Sequence, residues 1–362
     1  MKRHALQRIG IVSSISKLKP PAWSIPTGVA PAAGKIAVTI GTGYAGSTYR
    51  ANMAGGGQWW ADSTPIPGAT AITYIMTVEN EGKVITYRQG ANISNSIQMW
   101  LYPQLGSTLK CWYDASLTSS FTYQSGTNIS SWANRVSGAV PATQNTANKY
   151  PQFTTNGLQN GYNAVVANGT FQQFSMASGF ALGDQTAFAV MKTSDTRTAT
   201  NASWWGSPGI WGNEVSGFPA DFGWVLQAGQ PTYGASNSKH FSATAVANGL
   251  PMMLSYTRST TTGLVSHYLN GSFLDSGSTV TGNRTIGNGT TSMFNSNSLN
   301  TQASGATTYL GAAISEFIII DTILTDINRQ QLEGCAAWRW GLQSRLPADH
   351  PYKNGAPGFI SA

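Results

Sequence analysis

The tightest constraint on this chain lies near its C-terminus. Phe317, Ile318, Ile319 and Ile320 form an unbroken apolar run flanked by turn residues, which suits a strand buried on both faces. A short helix pattern begins near Thr325 and runs to Trp338 and Trp340. It stops at Gly341, with Pro347 just beyond. Such a strand needs neighbours on both sides, and the rest of the chain offers short apolar runs separated by Gly, Asn and Ser, which predict many short strands. The expected fold class is all-β.

Composition narrows the classes further. The chain has 362 residues, enough for two cored domains, and 40 of them are glycine. Only 10% are charged, against a usual share of about 25%, and Ser, Thr, Asn and Gln take their place. With 11% aromatics it is not a disorder composition. Apolar runs fall far short of the ~20 residues a membrane helix needs, so no membrane span is expected. The net charge of +7 is concentrated: Lys2, Arg3, Arg8, Lys17 and Lys19 precede the first acid, Asp62, and the rest carries 16 basic against 14 acidic residues. This arm reads either as an anchor onto an acidic protein surface or nucleic acid, or as a solvated tail. Ile9–Val12 is too short for the apolar core of a secretion signal.

Residues 1–32 form this basic arm and a Pro-rich linker. Residues 33–100 read as a small β domain. Ile72, Tyr74, Met76 and Val78 alternate as on one face of a strand, Glu79–Gly82 supplies a turn, and Val84–Arg88 resumes strand chemistry. The stretch Ile66-Pro-Gly-Ala-Thr70, then Thr73-Tyr74, resembles bacterial and phage immunoglobulin-like modules, with Trp59 or Trp60 as the core tryptophan. No cysteine lies between 33 and 100, and Val84 and Thr86 stand where antibody-type domains carry Tyr and Cys.

Residues 105–353 carry five pieces in order: LKCWYDAS (109–116), ISSWANRVSG (129–138), PATQNTANKYPQF (141–153), NGLQNG (156–161) and the closing strand and helix. Together they resemble LamG-like, concanavalin A-type jelly rolls found in bacteriophage virion proteins; AVVANG (164–169) replaces that family's "V-R-F-D-G". The resemblance implies a larger jelly-roll sandwich with a short C-terminal helix, followed by a tail at 354–362. Asn270-Gly271 predicts a type I′ hairpin. Cys111 and Cys335 open and close this unit, as a disulfide or, as expected of a chain assembled in cytoplasm, as two buried thiols.

Little points to catalysis. The laminarinase-like relatives use an E-x-D-x-x-E strand, which is absent. Glu79 and Glu81 read as solvent-facing charges in a turn, and Glu214 and Asp221 are separated by loop-like sequence. His4, His240, His267 and His350 are scattered without metal spacing, and no phosphate-binding loop occurs. No catalytic residue, metal or cofactor is expected. The stretch 201–224 is the main candidate for binding. Trp204, Trp205 and Trp211 offer faces on which sugar rings stack, and Asn213 and Asp221 offer hydrogen bonds. The alternative is that these tryptophans fill a core or a subunit interface.

The leading expectation is a non-enzymatic phage virion structural protein, a capsid decoration, head fibre or tail fibre component assembled in host cytoplasm. Its arm would anchor it to other virion proteins, and its lectin-like domain would bind host surface glycans as a homo-oligomer. Nucleic acid is not the expected partner of the balanced body. The alternatives are a secreted bacterial carbohydrate-binding adhesin or glycan-degrading enzyme, and a virion protein with no ligand.

Overall fold

The computed structural model describes residues 30–177, 183–198, 203–215, 217, 220–284, 290–297 and 307–357. The arm residues Lys2, Arg3, Arg8, Lys17 and Lys19 lie outside them. The fold is all-β: two β units of unequal size, with one α-helix among the described residues.

The smaller unit packs two antiparallel sheets. One orders the strands Ile36–Ile40, Thr48–Ala51 and Thr73–Ile75; the other orders Thr64–Pro65, Gln58–Ala61, Ile85–Gln89 and Asn92–Ile93. Of the two candidate tryptophans, Trp59 is the buried one. It is ringed by Tyr49, Tyr74 and Tyr87, and its indole N–H donates to the Ala71 carbonyl at 2.8 Å. Trp60, next along the strand, points to the other face under the guanidinium of Arg88. The expected four-residue face is shorter than its pattern. Tyr74 and Met76 are buried, Ile72 is 37% exposed, and Val78 already lies in a 3-10 turn, Val78–Asn80.

The larger unit has the Gly311–Ile320 strand as its spine. Its first half pairs with Tyr162–Asn168 and its second half with Leu109–Asp114, while Gln185–Lys192 runs along its other side. Met252–Arg258, Leu264–Leu269 and Ser272–Ser278 extend this sheet outward. Across the core, Ser238–Phe241, Gln230–Ala235, Phe222–Gln227, Gly209–Asn213 and Thr290–Met293 form the facing layer. The ladders then return on themselves into a nearly closed sheet. The isoleucine run is buried on both faces, as its unbroken pattern requires. Asn270 and Gly271 both have positive φ and join two paired strands, so the predicted hairpin forms.

The helix Asp326–Arg339 starts where Thr325 accepts the Asn328 N–H, and ends at Gly341 with φ +69°. It lays Leu332, Cys335, Ala336 and Ala337 on the larger core. Cys111 and Cys335 are both buried and unbonded to each other, so no disulfide forms; burial pushes both thiols up. Tyr44 and Met99–Tyr102, which precede the larger unit in sequence, pack into its core. No helix among the described residues is long and apolar enough to cross a membrane.

Candidate functional site

The 201–224 stretch is placed mostly inward. Trp211 and Trp224 are register partners on the inner face of the second sheet. They reach across the sandwich to Phe317 and Tyr256, at 6.1 and 5.1 Å between ring centroids. Trp204 lies on the opposite face of that sheet, yet is only 1% exposed. It sits over Gly223 and Gly234, cross-strand partners whose missing side chains make its seat. Its indole N–H donates to the Ser236 carbonyl at 2.8 Å. The expectation of stacking faces at Trp204 and Trp211 is therefore corrected: neither ring has a face free for a sugar. Asn213 is fully buried and donates to the Thr290 carbonyl, and Asp221 accepts the Ser236 N–H at 3.1 Å. Trp205 alone keeps an open side, 37% exposed, edge-on to Trp204.

A better-formed concavity lies elsewhere. A cleft of about 650 Å³ opens between the two units, within the usual size range of small-ligand sites and at the kind of boundary they favour. One wall is the 41–47 loop and the 77–81 turn of the smaller unit. The other is the end of the helix with Tyr162, Asn163 and Gln343. Helix geometry explains its aromatic lining: residues two apart point about 200° apart, so Trp340 turns into the core and Trp338 stays half-buried at the rim. The Trp338 indole N–H is held by the Tyr352 carbonyl at 2.8 Å. Tyr162, half-buried, lies over Gly341, where a Cβ would come within 2.7 Å of its hydroxyl. Gln343 also lines the cleft, but its Oε1 is itself buried and has no hydrogen-bond partner among the described residues.

Beneath this lining lies a buried ion cluster. The Arg339 guanidinium donates to Glu81 of the smaller unit at 2.8 Å, to Glu316 of the spine strand at 2.7 Å and to Asp114 at 2.5 Å. Arg135 makes a second pair with Asp114 while its guanidinium stacks on Trp112. Glu316 also accepts from Tyr102, Trp112 and Trp340 at 2.7–2.9 Å. Burial pushes Glu316 up to about 7, with Asp114 adding to the effect, against the pull of Arg339. Burial acts the same way on Asp114, but Arg339 and Arg135 outweigh it and hold that carboxyl down at about 2. Glu81, expected to face solvent, is instead 5% exposed; its second oxygen accepts the Ala45 N–H at 2.8 Å. The exposed charge of that turn is Glu79.

Glu214 and Asp221 are both buried. Desolvation raises both, Asp221 to about 6, while Glu214 accepts from Asn297 and Asp221 from backbone N–H groups. Each carboxylate thus has a structural tie. His350 packs beside Glu333 at 3.4 Å and pins the C-terminal turn. His240 and His267, far apart in sequence, are brought beside Asp275. Burial, then the neighbouring His240, pushes His267 down to about 4.

No family model matches the chain, and no curated protein matches it. Solved structures similar to it include domain 4 of the extracellular arabinanase AbnA from Geobacillus stearothermophilus, in complex with arabinotriose. That pair shares 16% identity over 62% of this chain and 98% of the other, at a TM-score of 0.43. The binding domain of Paraclostridial Mosquitocidal Protein 1 shares 10% identity over 64% of this chain and 53% of its own, at 0.43. The Ruminococcus gnavus IT-sialidase CBM40 bound to α2,3-sialyllactose shares 12% identity over 46% of this chain and 93% of its own, at 0.36. At these TM-scores none of them fixes what this chain binds.

Proposed function

We propose that the protein is a non-enzymatic structural component of a bacteriophage virion that binds saccharide in the cleft between its two β units. The observation that carries the binding part is the cleft itself. Half-buried Trp338 and Tyr162 offer apolar ring faces beside Asn163 and the exposed Glu79. Sugar rings present C–H faces to aromatics and hydroxyls to such polar groups. The virion assignment rests on the ordered sequence pieces across 109–353 and on the basic arm, Lys2 to Lys19. Repetition on a symmetric particle, or in a homo-oligomer, would compensate for a weak single site through avidity. Burial of Trp204 and Trp211 favours the second reading, a virion protein with no ligand, because it removes two of the three expected stacking faces.

Glycan-array screening followed by calorimetry separates the two. Trp338→Ala and Tyr162→Ala should each weaken binding roughly five- to tenfold, the loss of about 1 kcal/mol of aromatic contact. Trp205→Ala should leave binding unchanged. Binding that depends on Trp205 and ignores both cleft residues would move the site; no binding to any glycan would support the ligand-free reading. Recovery of the chain from no purified particle would overturn the virion assignment, and turnover of a bound glycan would overturn the non-enzymatic one.

A further inference from the structure

One side-chain cluster lies outside the cleft and has no part in the reading above. His240 comes from the Ser238–Phe241 strand, His267 from Leu264–Leu269 and Asp275 from Ser272–Ser278. His267 and Asp275 are register partners, and the ladder shifts immediately after them, between His267 and Tyr268. Bulges of this kind re-aim side chains. The imidazole of His240 stacks on that of His267, with centroids 5.3 Å apart and planes 21° from parallel. It fits because residue 277 is glycine: a Cβ there would lie 2.3 Å from His240 Nδ1.

The donor atoms converge. His240 Nε2 lies 3.1 Å and His267 Nδ1 3.6 Å from the same oxygen, Asp275 Oδ1, and all three lie within 4.8 Å of one another. Bonds of about 2.0–2.1 Å to a tetrahedral ion set its ligand atoms roughly 3.3–3.4 Å apart, and the two contacts to Asp275, at 3.1 and 3.6 Å, fall within about 0.3 Å of that spacing. The other carboxylate oxygen, Oδ2, is tied to the Ala243 N–H at 3.0 Å, the outer-shell support that orients a ligating carboxylate. His267 is fully buried, and apart from the 3.6 Å approach of Asp275 Oδ1 to Nδ1 its ring nitrogens have no hydrogen-bond partner among the described residues. A polar group buried in that state is costly, and an ion on Nδ1 would relieve half of it. The side chains of His240 and Asp275 are 16% and 27% exposed, which gives the ion an entry path.

We propose that His240, His267 and Asp275 form a binding site for a divalent transition-metal ion, zinc foremost, that ties the Ser238–Phe241 strand to the 264–278 hairpin. Two imidazoles and one carboxylate match the ligand preference of zinc, whereas calcium and magnesium take oxygen ligands. Three protein ligands leave a fourth position for water on the exposed side.

The test uses the full chain, stripped with a chelator and titrated with Zn²⁺, and with Co²⁺ as a spectroscopic probe. One equivalent should bind, Co²⁺ should show the visible bands of four-coordinate geometry, and saturation should raise Tm. His240→Gln and Asp275→Asn alter part-exposed side chains, so both should fold, and each should weaken binding roughly tenfold or more. Gly277→Ala should weaken it too, by displacing the His240 ring, and Ca²⁺ or Mg²⁺ should leave Tm unchanged. Absence of Zn²⁺ binding by the folded wild type, or binding that His240→Gln leaves intact, would overturn the proposal.

Discussion

The guanidinium of Arg339 is shared among three carboxylates drawn from positions 81, 114 and 316. Removing one partner of such a buried cluster leaves uncompensated charge, which typically costs about 3–5 kcal/mol. Arg339→Met should therefore destabilise the protein by that order, measured by urea unfolding at neutral pH. The cluster also sets a pH dependence whose sign differs between its members. Glu316 titrates higher in the folded state, about 7, than its ordinary 4.5, so its contribution is fully present below 4.5 and is lost as pH rises through 7. Asp114 titrates lower, about 2 against 3.8, so its contribution is present above 3.8 and is lost as pH falls through 2. Glu316 should contribute a decline in stability between pH 4.5 and 7, alongside the decline from Asp221 as pH rises to about 6 and against the gain from the buried His267 as pH rises above about 4. Glu316→Gln should remove its own share of the slope while lowering stability overall, and equal slopes in both proteins would refute the assignment. None of this was legible in the sequence. Glu81 sits in a turn of ordinary solvated composition, and its partner lies 258 residues away. Arg339 looked like any cation at a helix C-terminus.

Elements were more readable where a local rule set them. The isoleucine strand, the Asn270-Gly271 hairpin and the stop at Gly341 each follow from chain-local chemistry, and each forms. The inward turn of the 201–224 tryptophans depended on what faced them. Gly223 and Gly234 lie within paired strands and opposite each other, and their function is to admit the Trp204 indole. A Cβ on Gly234 would fall 2.0 Å from Trp204 Cγ. Gly234→Ala should cost roughly 1–3 kcal/mol, the usual penalty for overfilling a packed site. Thermal melts would give the cost, and intrinsic fluorescence would report Trp204 moving toward water. A melt unchanged from wild type would mean that the indole has another seat. Thr325→Ala, by contrast, should cost about 1 kcal/mol, since it removes one N-cap acceptor and disturbs nothing behind it.

At the scale of the whole molecule, pattern reading separated two β units but could not see how they are joined. Tyr44 of the smaller unit packs in the larger core and donates its hydroxyl proton to the Trp100 carbonyl. Tyr102, on the segment between the units, donates to Glu316 in the ion cluster, and Glu81 reaches Arg339 from across the cleft. Apolar packing and buried charge therefore cross the same boundary, which argues for unfolding as one cooperative body. Residues 30–362 should melt in a single transition, with the same midpoint by near-ultraviolet circular dichroism and by calorimetry. A fragment of residues 105–362 keeps the jelly-roll strands but loses Trp100, Leu101, Tyr102 and Glu81, and so leaves Arg339 and Glu316 each short of a partner. It should melt well below the longer chain. Glu81→Gln in the longer chain should lower the midpoint by a smaller step, because Gln keeps an acceptor and leaves the apolar contacts in place. Two separate transitions in residues 30–362, one of them matching the fragment, would show that the units fold independently and that the cleft between them is held by its linker rather than by Arg339.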